Sequence, residues 1–114
     1  MNNKQKGNFG EKIACRFLKE KNYSIIQTNY KIKSGEIDII AYKCNEIIFI
    51  EVKSRINIRY GYPAESVNLN KINKIRNTAK HYLLINKIEN KKIRFDVIEI
   101  YLKDKKINHI ENAF

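Results

Sequence analysis

Two segments of this 114-residue chain, Glu36–Lys43 and Glu46–Lys53, are rich in Ile, Tyr, Phe and Val, and only Cys44-Asn45 separates them. Strand-forming residues that close together predict a β-hairpin, and the turn sets which residues face each other. A loop of two residues (Cys44-Asn45) or of four (Lys43 to Glu46) gives the same register, with Asp38 opposite Glu51 and Glu36 opposite Lys53. A three-residue loop would turn Glu51 in among Ile37, Ile39 and Ala41, because a one-residue slip moves every side chain to the other face. In the favoured register Ile37, Ile39, Ala41, Ile48, Ile50 and Val52 make one apolar face. The other face carries the charges at one end and Ile40, Tyr42, Ile47 and Phe49 at the other. Both faces need covering, which suits a central sheet between two helices.

The rest of the chain supplies those helices. After a polar leader, residues 1–7, expected to be flexible, Phe9 to Lys21 sets Phe9, Ile13, Ala14, Phe17 and Leu18 on one stripe, as an amphipathic helix requires. Tyr23 to Tyr30 reads as a strand, with Ser34-Gly35 as the turn into the hairpin. Ser54 to Pro63 reads as a loop. A second helix follows, with Asn70 able to cap it and Ile72, Ile75, Ala79, Tyr82 and Leu83 as its buried stripe. Ile93 to Leu102 is then a strand, and Ile107 to Ile110 a short last one. No repeat or linker divides this order, so the expectation is one domain spanning residues 1–114, of the α/β class with a mixed (α+β) sheet.

Charge narrows the partner. With 23 Lys plus Arg against 12 Asp plus Glu, the net charge is +11. That favours a polyanion, nucleic acid above all, because neutralising phosphates releases counterions. The heavy use of Lys, Asn and Ile also fits an AT-rich genome, which accounts for part of the charge without any partner. The longest apolar stretch, Ile47 to Ile50, is far short of a membrane span, and the first residues lack an apolar signal core, so a cytoplasmic protein without a membrane partner is expected. Cys15 and Cys44 stand alone, without the spacing of a zinc site or a disulfide framework.

Two carboxylates facing each other across a hairpin repel unless a cation or proton lies between them. A divalent metal is the natural remedy. Magnesium needs only one or two carboxylates, here Asp38 and Glu51, with a main-chain carbonyl such as that of Val52, water and substrate phosphate. Lys53 beside such an ion would orient or activate a water and offset charge developing on phosphate. Alone, Glu51-Val52-Lys53 would read as an exposed strand end with an ordinary charged pair. Asp38 in register, the basic excess and the element order favour a site.

Three stretches, Gly35-Glu36-Ile37-Asp38-Ile39-Ile40, Phe49-Ile50-Glu51-Val52-Lys53-Ser54-Arg55 and Arg94-Phe95-Asp96-Val97, together with Gly10-Glu11 and Ala14, closely resemble the YraN family of small bacterial proteins. The likeness runs from about Gly7 to Tyr101. That family looks like a member of the PD-(D/E)xK nuclease superfamily, near the archaeal Holliday-junction resolvases and RecB-type nuclease domains. The resemblance implies a restriction-endonuclease-like core of order αβββαβ. It implies that Asp38 and Glu51 bind Mg2+ or Mn2+, that Lys53 serves the attacking water, and that Glu11 completes the acidic cluster, with Glu36 a further acid. It also implies an active-site polar residue near the start of the second helix, where Lys71 stands. Ile37 occupies the position of the signature proline, so a strict motif search would miss the chain.

The implied activity is hydrolysis of DNA phosphodiesters leaving a 5′-phosphate, at branched or repair intermediates. A junction-cutting activity would need two sites, most simply from a homodimer. Arg55, Arg59, Tyr60 and Tyr62 combine cations with stacking surfaces directly after Lys53, a composition suited to phosphates and unpaired bases. Lys74, Arg76 and Lys80 read as a solvated face, His81 and His109 as non-ligands, and Asp96 with Arg94 as a structural charge contact. Two rival readings stand beside the enzyme: a non-catalytic nucleic-acid-binding module with a vestigial or partner-dependent site, and an adaptor whose charge reflects only genome composition.

Overall fold

In a computed structural model, which describes residues 2–56 and 68–114, the chain opens with helix α1, Asn3–Glu20. It starts earlier than the apolar spacing suggests. Asn2 accepts from the Gln5 backbone N–H while the Gln5 side chain accepts from Asn2, a capping box that carries the polar leader into the helix. The buried stripe is Gly10, Ala14 and Leu18, whereas Phe9, expected inside, is 48% exposed. Gly10 takes the inward position because a β-carbon there would overlap the Ser54 hydroxyl.

Strands β1 (Ser24–Ile32), β2 (Gly35–Lys43) and β3 (Glu46–Arg55) follow, then helix α2 (Leu69–Ile85) and strands β4 (Lys92–Tyr101) and β5 (Lys106–Ile110). Among the described residues they form one α+β unit: a five-stranded sheet in the order β1-β2-β3-β4-β5, mixed because β3 and β4 run parallel while the other pairs are antiparallel. The parallel pair needs a crossover, which contains α2. The architecture is consistent with the αβββαβ restriction-endonuclease-like core. No described helix is long and apolar enough to cross a membrane.

Each helix covers one face. Ala14, Leu18 and Tyr23 pack on Ile39, Ala41, Ile48, Ile50, Ile98 and Ile100, whereas Ile75, Ala79 and Tyr82 of α2 pack on Ile37, Ile40, Ile47 and Phe49. Asn68 caps α2, its side chain accepting from Lys71 N at 2.9 Å; Asn70, the expected cap, lies inside the helix. The β1–β2 turn is Lys33-Ser34, and Gly35 already belongs to β2, where a β-carbon would sit 2.7 Å from Thr78 Oγ1. Arg55 belongs to β3 rather than to a loop, because parallel pairing continues through Ser54–Ile100 and Arg55–Tyr101.

Candidate functional site

The hairpin register is the expected one as far as it runs. Cys44 and Asn45 have φ of 51° and 65°, both left-handed as a two-residue type I′ turn requires, and rungs join Lys43 to Glu46 through Ile39 to Ile50. There the ladder stops, so the expected Asp38–Glu51 and Glu36–Lys53 rungs are not made. Asp38 Oδ2 instead accepts the Val52 N–H at 2.8 Å, a side chain substituting for a strand hydrogen bond. Across β1 the paired residues are Thr28–Ile39 and Tyr30–Ile37, skipping Asp38, and Asn29 between them has a left-handed φ of 53°. The irregularity breaks the alternation of β2. Ile37, expected on the face of Ile39, packs with Ile40 on the α2 side.

Asp38 and Glu51 therefore still meet, in a cleft of about 270 Å³ lined also by Gly35, Glu36, Lys71 and Lys74. Glu51 is 8% exposed and takes two ammonium groups on one oxygen, Lys71 Nζ at 3.0 Å and Lys53 Nζ at 3.5 Å. Lys71 is positioned by its helix: the Asn68 cap binds its backbone N–H, and its side chain reaches across to β3. Glu11 stands on the α1 side, where the Asn29 side chain hydrogen-bonds it and where it feels the charges of Glu36 and Glu51.

Of the residues expected at the site, Asp38, Glu51, Lys53 and Lys71 come together, with Val52 supplying its N–H and Glu11 and Glu36 at the margin. Glu36 pairs across β1 with Lys31. Arg59, Tyr60 and Tyr62 lie outside the described residues. Asp96 is structural, as expected: fully buried, it accepts from Arg94 Nε and Nη2 at 2.9 Å each, from His109 Nε2 at 2.7 Å and from Asn112 N at 3.1 Å. His81 meets the Tyr30 hydroxyl at 2.8 Å. Asn29 escaped the sequence reading, although Asn is the residue type that tolerates a left-handed strand position. So did Glu99, 1% exposed and in register beside Lys53; only the pairing of β3 with β4 reveals it.

The family model described as "Uncharacterised protein family UPF0102" matches residues 10–100. The chain belongs to that family. A UPF0102 protein of Clostridioides difficile is 57% identical over 114 residues, covering 100% of both chains. Another from Clostridium novyi is 50% identical, covering 98% of this chain and 97% of its own, and one from Caldanaerobacter subterraneus is 43% identical, covering 100% and 98%.

The site of this UPF0102 protein is electrostatically stressed. Burial, with Glu51 next and Glu11 and Glu36 adding to it, pushes the Asp38 carboxyl up to about 8, against the pull of the Val52 N–H. Burial also raises Glu11, helped by Glu36 and Glu51 and opposed by Asn29. Lys53 is lowered, by burial first and by its contact with Lys71, with Glu51 working the other way. Burial works against the charge of Lys71, but its contacts with Lys53 and Glu51 and the charge of Asp38 hold its pKa above the ordinary value.

These donors fit a hard divalent cation. The Val52 N–H occupies Oδ2 of Asp38 and leaves Oδ1 for a further partner, while a cation between Asp38 and Glu51 would offset the burial, and after it the Glu51 charge, that push the Asp38 carboxyl up. Among the described residues no three His, Cys, Asp or Glu side chains converge to hold an ion. The fit is thus to an ion that keeps several waters and accepts substrate oxygens, as Mg2+ does, rather than one enclosed by protein.

Proposed function

We propose that this UPF0102 protein is a divalent-metal-dependent nuclease that hydrolyses DNA phosphodiesters. The observation that carries the reading is the meeting of two carboxylates, half-buried Asp38 and buried Glu51, in one cleft, with Lys53 and Lys71 both paired to Glu51. Asp38, Glu51 and the Val52 carbonyl would hold Mg2+ or Mn2+, with Glu11 acting through water from the α1 side. The bound ion would supply Lewis-acid stabilisation of the phosphate oxygens.

The chain's own residues do the rest. Lys53, whose proton burial and Lys71 loosen, orients the attacking water, and once it has given its own proton to solvent its free amine takes the water's proton. The water oxygen bonds to phosphorus, the bond from phosphorus to the 3′ oxygen breaks, and that oxygen takes a proton from solvent, leaving a 5′-phosphate. Lys71, once Glu51 turns to the cation, is free to neutralise a phosphate oxygen. The basic excess, +11, draws in the polyanion.

A second reading has its own support. Lys53 and Lys71 already neutralise Glu51 without an ion, as a vestigial site in a nucleic-acid-binding module would. Cleavage of labelled single-stranded, duplex, flapped and four-way-junction DNA with Mg2+ or Mn2+ separates the two. The enzyme predicts cutting by the wild type and a loss of about a hundredfold or more in Glu51→Ala, with binding retained. Salt-sensitive binding by both proteins without cutting would select the module.

A further inference from the structure

A second concavity adjoins the site. Between α1 and β1 lies a cleft of about 750 Å³, and two residues that line it, Glu11 and its hydrogen-bond partner Asn29, turn it toward the site, where Glu11 couples electrostatically to Asp38 and Glu51. Glu11 senses the charges of Glu36 and Glu51, and Asn29 is the β1 residue skipped opposite Asp38. Along α1 the cleft is lined by three cations, Lys12, Arg16 and Lys19, with Glu20 the one acid beyond Glu11. Their spacing of four and three residues puts them on one side of the helix, over about 10 Å of its length.

All three are exposed, and among the described residues none of their side chains forms an ion pair or hydrogen bond. Other cations are engaged: Lys43 caps the end of α1 at the Lys21 carbonyl, and Arg94 is locked to Asp96. Free cations on a convex face are ordinary solvation. Three along one wall of a cleft that leads to two carboxylates and a phosphate-neutralising lysine form a row of contacts for a phosphate chain. The dimensions set the form of that chain. A cleft of this volume holds ligands of small-molecule size, which is room for a nucleotide or two of single strand.

We propose that the α1–β1 cleft is the track of one unpaired DNA strand running to the Asp38–Glu51 site, so that the preferred substrate carries a single-stranded arm. The proposal rests on the nuclease reading for what happens at the end of the track, but strand binding is measurable without it. Two variants each lose three positive charges: Lys12→Gln/Arg16→Gln/Lys19→Gln in the cleft, and Lys80→Gln/Lys87→Gln/Lys103→Gln away from it. Binding of a labelled oligothymidylate and of a blunt duplex is titrated against salt in the presence of EDTA, so that no metal-dependent cutting intrudes.

The cleft variant should lose about tenfold or more in oligothymidylate affinity, with the salt slope falling by about two, the value for three released phosphate contacts on a single strand. The control should keep its slope, and duplex binding should fall less than single-strand binding. Equal losses in the two variants, or an equal loss for duplex, would overturn the track. A thiol trap gives an independent check. Cys15 lines the cleft half-buried and Cys44 is exposed in the β2–β3 turn, so an oligothymidylate carrying an activated disulfide would couple first to Cys44 unless the cleft holds it. Preferential coupling to Cys15 supports the track, and preferential coupling to Cys44 refutes it. If the cleft variant loses strand binding while the wild type cuts nothing, the track stands and the nuclease reading falls. Cutting by a cleft variant that still binds the strand in full overturns the track and leaves the nuclease standing.

Discussion

Single atoms decide how α1 meets the sheet. Gly10 brings the helix backbone against Ser54, whose buried hydroxyl has no hydrogen-bond partner among the described residues. Gly10→Ala should destabilise the protein by about 1–3 kcal/mol through overpacking. Ser54→Ala should be neutral or stabilising by about 1 kcal/mol, since it removes an unsatisfied group, and should recover part of the Gly10→Ala loss because the remaining contact is at 3.1 Å. Urea melts of the two single variants and the double variant measure this; additive losses would show that the two sites do not touch. Asp38 sets a pH dependence. Its carboxyl releases its proton near 3.8 in the unfolded chain and near 8 when folded, so between those values the folded state binds more protons. Its contribution to stability is therefore complete below about pH 4 and is lost as the pH rises toward 8. Without divalent ions, Asp38→Asn should flatten the decline in melting temperature between about pH 5 and pH 8. An unchanged profile would mean that Asp38 is already ionised in the fold.

At the level of elements, the sequence carried its clearest message in the hairpin, where alternating Ile and charge leave only one register that keeps Glu51 out of the core. What it did not carry was the end of that ladder. Periodicity extends a strand indefinitely, whereas here the Asp38 carboxylate captures the Val52 N–H beyond the last rung, and Ile37 packs on the other face where the β1 pairing skips Asp38. Helix starts were missed for a related reason. Asn2 begins α1 with no apolar residue in its first turn, and Asn68 and Asn70 offer the same capping chemistry two residues apart. The structure selects Asn68, and the choice is testable. Asn68→Ala should cost about 1 kcal/mol in thermal or urea unfolding. Asn70→Ala, inside the helix, should cost nothing or add about 0.5 kcal/mol. Equal costs would mean that the Asn68 cap is not what holds Lys71 beside Glu51.

Across the whole molecule, the acids and lysines of the site come from α1, β2, β3 and α2; the hairpin made β2 and β3 legible as neighbours, whereas the two helices come to the site through tertiary packing that periodicity does not carry. The parallel pairing of β3 with β4 makes this concrete, since Glu46 faces Lys92 across the length of the α2 crossover. Such distant pairing costs a large loop-closure entropy before any contact offsets it. The β2–β3 hairpin closes locally, on a scale of about 1–10 μs. During synthesis the two carboxylates are thus brought together well before the ribosome has released the strand against which β3 must pair. For that interval the nascent chain carries an acidic pair without α2 docked beside it. Until the rest of the chain packs around that pair nothing buries it, so the upward push on the Asp38 carboxyl, which burial leads, belongs to the finished fold and not to the hairpin.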